Sequence, residues 1–176
     1  MKNTKRTSNL PPASVEVPRR EIKLKLATQY AARAADVPPR SAFRKWVKAA
    51  LRRDAEIVLR VVDDAEGQSL NRSFRDRDYA TNVLTFVYDN VRPGVQSLAG
   101  DIVLCAPVIE REAREQQKDL TAHYAHLTLH GVLHLQGYDH ESDVEAASME
   151  QMEAEILGRL GYENPYMESW GTAEVL

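Results

Sequence analysis

Five histidines occur in the 176-residue chain, and all of them lie between positions 123 and 140. An α-helix advances about 100° per residue, so with His123 at zero, His126 falls at about −60°, His130 at about −20° and His134 at about +20°. All four share one face, and His130 and His134 stand one turn apart. That i, i+4 spacing lets two imidazole nitrogens converge on one metal ion. Gly137 can reverse the chain, and His140 then returns as a third ligand from outside the helix. Three neutral imidazoles suit Zn²⁺, whose structural sites are usually closed by four protein ligands. A trio leaves the fourth position to water, the pattern of a catalytic site. Nickel, cobalt or copper would also accept such donors.

His123 and His126 read as packing or supporting residues, because the other three already complete a tridentate set. A ligating imidazole needs an acceptor for its second ring nitrogen, and Asp101, Asp139 and nearby carbonyls are the candidates. The frame His130-x-x-x-His134-x-x-Gly137-x-x-His140 has the spacing of a metalloprotease motif. In that motif the residue after the first histidine is the general-base glutamate. Here it is Gly131, which cannot take a proton, so peptide hydrolysis by that route is unsupported.

The elements that must position these groups follow from periodicity. Ile22–Leu26 alternates apolar and polar residues, as a half-buried strand does. After Pro38 and Pro39, Ser41 is an N-cap candidate for a helix with Phe43, Trp46, Val47, Ala50 and Leu51 on its inner face. Glu56–Val62 is a β-branched strand with Arg60 inside it, and Asp63–Arg75 a short helix with Leu70 and Phe74 turned inward. Asn82–Tyr88 and Gly100–Cys105 are the next two strands, joined by a loop over Asn90–Ser97. Pro107 suits the first turn of a helix reaching about Gln117. Thr121 is an N-cap candidate for the histidine helix, which ends near Gln136 before Gly137. Ser142-Asp143-Val144-Glu145 matches a capping box and opens a last helix closed at Gly161. The order β-α-β-α-β-β-α-α-α predicts an α+β fold, a small mixed four-stranded sheet packed against about five helices.

Length allows one domain of ordinary size. We expect a disordered extension over residues 1–20, a single domain over 21–167 and a tail over 168–176. The uncharged run Leu120–Tyr138 carries four histidines and is too polar to cross a membrane. The first twenty residues lack the apolar stretch of a secretory signal, and the single cysteine, Cys105, fits a reducing cytoplasm. The net charge of −3 conceals opposite zones. Residues 40–60 hold seven bases against Asp54 and Glu56, while residues 141–176 hold nine acids against Arg159. A basic face can meet a polyanion, and it can equally be a solvated helix surface.

The run His130-Gly-Val-Leu-His134-Leu-Gln-Gly137-Tyr-Asp-His140 resembles the signature of the YbeY family, bacterial metal-dependent endoribonucleases of ribosomal RNA maturation. Arg60–Asp63, Thr81–Phe86, Gly100–Val103 and Gly161–Tyr166 resemble family segments in the same order, so the likeness covers about residues 21–167. It implies a compact α+β fold with zinc in a cleft, held by His130, His134 and His140. It also carries the family's functionally important arginine over to Arg60. It implies action on 16S ribosomal RNA, including 3′-end maturation, and a part in ribosome quality control. The implied partners are the small ribosomal subunit, a ribosome-assembly GTPase and a small-subunit ribosomal protein.

Under that reading Arg60 clamps a phosphoryl oxygen with its fork of donors. The plainer alternative is a structural ion pair with Asp63 or Asp101. The general base is unassigned, and either bound hydroxide or the substrate's 2′-hydroxyl can serve as nucleophile. A non-catalytic assembly factor with a structural metal, and a metallohydrolase of non-RNA substrates, are the competing functions.

Overall fold

The computed structural model describes residues 20–32, 36–77, 79–88 and 97–167. All of the expected 1–20 extension but Arg20, the tail over 168–176 and most of the Asn90–Ser97 loop lie outside the described residues. Nine elements follow one another: β1 (Leu24–Tyr30), α1 (Arg40–Ala50), β2 (Ala55–Val62), α2 (Asp64–Arg75), β3 (Val83–Tyr88), β4 (Leu98–Cys105), α3 (Ala106–Glu115), α4 (Leu120–Leu135) and α5 (Asp143–Arg159). The fold is α+β, as the pattern predicts.

The sheet has the order β1-β2-β4-β3. β1 and β4 flank β2 in parallel, and β3 runs antiparallel on the outer side of β4. Successive strand residues point to opposite faces. Ile57, Leu59, Ile102 and Leu104 enter the main core with Phe43, Trp46, Tyr124 and Leu129 from the helices. Val62, Leu84, Val103 and Cys105 build a smaller cluster on the other face, with Val108 of α3 and with Leu70 of α2 against it.

α4 is the central helix. Ten of its residues are buried, including Tyr124, Leu129, Val132 and Leu133, which is why its sequence is apolar nearly all round. At Gly131 an added Cβ would stand 3.2 Å from Ile102 Cγ2 and 3.3 Å from Thr85 Cγ2. The glycine lets the helix press onto the main-core face of β3 and β4. Gly137 sits at φ +95°, a left-handed conformation that turns the chain out of the helix toward His140.

Several local expectations are corrected. α1 starts at Arg40 after Pro39, which makes no side-chain cap, so Ser41 lies inside the helix. Asp119, not Thr121, caps α4, accepting the Ala122 N–H at 2.9 Å. Phe74, at the C-terminal turn of α2, is 64% exposed rather than turned inward, and its ring meets Phe86 in a T-shaped pair with centroids 5.1 Å apart. β1 begins later and runs further than the alternation suggests, to Tyr30. The capping box at Ser142 and Glu145 forms as expected.

Candidate metal centre

His130, His134 and His140 each present a ring nitrogen, and these three atoms lie within 4.8 Å of one another. His130 Nε2 and His134 Nε2 are 2.9 Å apart. Two nitrogens sharing one ion at about 2.0–2.1 Å stand roughly 3 Å apart, so the pair fits a common cation. The helix supplies the first two donors, and the turn at Gly137 brings back the third. His140 is 58% exposed and His130 24%, so the cluster opens to solvent on the side of the loop.

The second nitrogen of His130 is already engaged. His130 Nδ1–H donates to Glu153 Oε1 at 2.5 Å, which leaves Nε2 with its lone pair toward His134. Burial lowers the His134 pKa, and the neighbouring His130 and His140 lower it further, against a hydrogen bond to the Tyr138 backbone. A neutral imidazole is the form that ligates.

Glu153 is the residue of the candidate site that spacing rules missed. It is fully buried on α5 and accepts from His126 Nε2 at 2.9 Å, from His130 and from the Tyr166 hydroxyl. Burial alone would raise its carboxyl, yet these donors hold it down at about 2. One signal was available: Glu153 stands on the inner stripe of α5 with Met149, Ile156 and Leu157. An acid among core positions needs a partner. Of the acceptors expected from the sequence, Asp101 instead binds the Tyr88 hydroxyl, Asp139 comes near with its Oδ1 3.5 Å from His140 Nδ1, and the nearby backbone at Tyr138 acts on His134.

The remaining histidines stand outside the trio. His126 shares Glu153, and His123 binds Glu112 Oε2 at 2.8 Å with 4% exposure. Cys105 is buried in the smaller cluster, where burial pushes its thiol up to about 11. Among the described residues it is not grouped with the histidine donors.

Arg60 is not brought to the histidines. It alternates with Leu59 and Val61, which face the core under α4, and it pairs in register with Val103 on the opposite sheet face. Its Nε donates to Glu66 Oε1 at 2.6 Å and its Nη1 to Gln29 Oε1 at 3.0 Å. The ion-pair partner is therefore Glu66 rather than Asp63 or Asp101.

An α+β domain whose central helix and following turn gather three imidazoles, one of them propped by a buried carboxylate, defines a protein with a histidine cluster that could hold a metal ion. A family model described as Endoribonuclease YbeY matches residues 28–161. A Nitrosomonas europaea protein named Endoribonuclease YbeY is 59% identical over 163 residues, 92% of this chain and 97% of that one. One of the same name from Thiobacillus denitrificans is 56% identical over 144 residues, 82% of this chain and 97% of that one. A Thermotoga maritima protein solved in solution shares the fold at 24% identity, with a TM-score of 0.50, over 82% of this chain and all of that one. The chain belongs to the YbeY endoribonuclease family. Among the described residues, no helix is long and apolar enough to cross a membrane.

Proposed function

We propose that this chain is a zinc-dependent, single-strand-specific endoribonuclease acting in 16S ribosomal RNA 3′-end maturation and ribosome quality control in the cytoplasm. The observation that carries the reading is the convergence of His130, His134 and His140 within 4.8 Å, with an open side. These three side chains would hold the ion, and their all-nitrogen donor set suits zinc. Bound there, a divalent cation would offer Lewis-acid stabilisation to charge gathering on a phosphoryl group. Glu153 orients His130 from behind, and the exposed His140 edge leaves a way in for a strand.

Arg60 belongs to the proposal as a phosphate contact. Its side chain is 37% exposed, so the guanidinium can meet RNA while paired with Glu66. From the far face of the sheet it would hold a strand that passes round the domain. The proposed partners are ribosomal RNA in the small subunit, a ribosome-assembly GTPase and a small-subunit ribosomal protein.

A purely structural metal is the weaker reading. Glu153 already ties α5 to α4 through two histidines, so those helices do not depend on an ion to stay together. The test is metal analysis of purified protein beside cleavage of a single-stranded ribosomal RNA precursor. Wild-type protein should carry about one zinc and cut the RNA, and His130→Ala should lose both while its circular dichroism is kept. Undiminished cleavage by chelator-stripped protein would overturn the reading.

A further inference from the structure

α1 turns Phe43, Trp46, Val47 and Ala50 into the core, which leaves Arg40, Arg44, Lys45 and Lys48 on the exposed arc. Arg52 and Arg53 follow just beyond the C-cap Leu51 and are exposed as well. Residues 40–53 therefore hold six bases and no acid. A solvated helix face normally mixes signs, as i, i+4 pairs of opposite charge support it. This one is left uncompensated on its own surface.

Arg40, Arg44 and Lys48 repeat every four residues, so they form one row with a step of about 6 Å. The row runs along β1, an edge strand. Arg40 Nη1 donates to Thr28 O at 2.6 Å and Arg44 Nη2 to Leu24 O at 3.3 Å. These bonds fix the two guanidiniums without neutralising them. Lys48 Nζ comes 3.8 Å from Glu21 Oε1, and both groups are exposed, a pairing of little weight. Among the described residues, Lys45 and Arg53 have no acidic partner. At the far end the Arg52 guanidinium lies 5.8 Å from the centre of the Tyr138 ring. The Arg52 backbone N–H donates to Gln136 Oε1 at 2.9 Å. Tyr138 is two residues from His140, so the row ends beside the loop that carries the third imidazole.

We propose that Arg40, Arg44, Lys48 and Arg52, flanked by Lys45 and Arg53, form the track that grips the sugar–phosphate backbone of single-stranded RNA as it leads to the histidine site. The destination of the strand rests on the endoribonuclease reading; the track itself does not. Evenly spaced positive charges in line suit a linear polyanion. A membrane surface would require bulky apolar residues beside the bases, and an acidic protein would require apolar anchors at the centre of its interface. The arc itself offers only Ser41 and Ala49 between the charges, and the one large ring beside it, Tyr30 at 39% exposure, lies under the Arg40 guanidinium, 5.4 Å from it. Tyr138, partly buried against the core, and Met152 Sδ at 3.8 Å hold the Arg52 guanidinium at the end of the row.

The test uses the metal-loaded full chain and a fluorescein-labelled 2′-O-methyl oligonucleotide of twelve residues, whose intactness after each titration is read on a denaturing gel. Four phosphate contacts predict that log affinity falls against log salt with a slope of about −3. Lys45→Glu with Lys48→Glu should weaken binding at least tenfold and make the slope shallower by about one or more. Arg111→Glu with Arg114→Glu on α3 changes net charge equally and should stay within about twofold of wild type. Circular dichroism on each variant separates lost folding from lost binding. Equal losses in the two pairs, or no loss in the first, would overturn the track. A protein that binds through this row but never cleaves RNA supports the track and defeats the nuclease reading. Cleavage and binding indifferent to the row defeat the track alone.

Discussion

Glu153 and His130 lie on different helices, twenty-three residues apart, and meet through one hydrogen bond of 2.5 Å from His130 Nδ1–H to Glu153 Oε1. That bond selects which nitrogen of His130 remains free to ligate. It also couples the packing of α5 to the geometry of the proposed metal site. The carboxylate can exist unexposed only because His126 and Tyr166 supply further donors.

Glu153→Gln keeps the volume of the side chain but removes its charge and one acceptor oxygen. We expect metal affinity to fall about 10–100-fold, as for loss of an orienting partner, and stability to fall by about 2–3 kcal/mol, the worth of hydrogen bonds to a charged group. Competition against a chromogenic chelator reads the first effect and a thermal melt the second. Affinity within twofold of wild type would show that His130 is oriented without Glu153.

Arg60→Glu is expected to leave metal content unchanged, since the side chain is on the sheet face opposite α4. It should raise KM for RNA and weaken its salt dependence, with a smaller change in kcat, because a contact remote from the scissile bond acts mainly on binding. Steady-state kinetics at two salt concentrations decides it. A loss confined to kcat would place Arg60 at the reacting phosphate and contradict the observed separation.

How far the sequence could be read depended on whether the information was local. The histidine trio was legible because helical periodicity converts spacing directly into angle, and Gly137 announced the turn. The order of elements was legible from the alternation of period two and period 3.6. Glu153 was not, because its partners come from another helix and α5 is rich in solvated acids such as Glu150 and Glu155. The partner of Arg60 was missed for a related reason. Three acids lie close by in sequence on α2 and its cap, and only Glu66 is turned to the β2 guanidinium. Phe74 failed in the other direction, since apolar periodicity marks it as inward and the C-terminal turn of α2 leaves it exposed.

His123 gives a prediction in pH. Burial lowers its pKa despite the hydrogen bond to Glu112, and only 4% of the side chain is exposed. In the unfolded chain a histidine titrates near 6.5, so below about pH 6.5 the unfolded state takes up a proton that the folded state resists. Stability from this group is therefore whole above about pH 7 and declines as the pH falls through 6.5 toward the folded value. His123→Gln can still donate to Glu112 but cannot titrate. Urea unfolding at several pH values between 7.5 and 5 should show a steeper loss for wild type than for the variant, while contributions common to both, including those of the other four histidines, cancel in the difference. Parallel curves would mean that His123 accepts its proton inside the fold as readily as outside it, with Glu112 compensating the whole cost of burial.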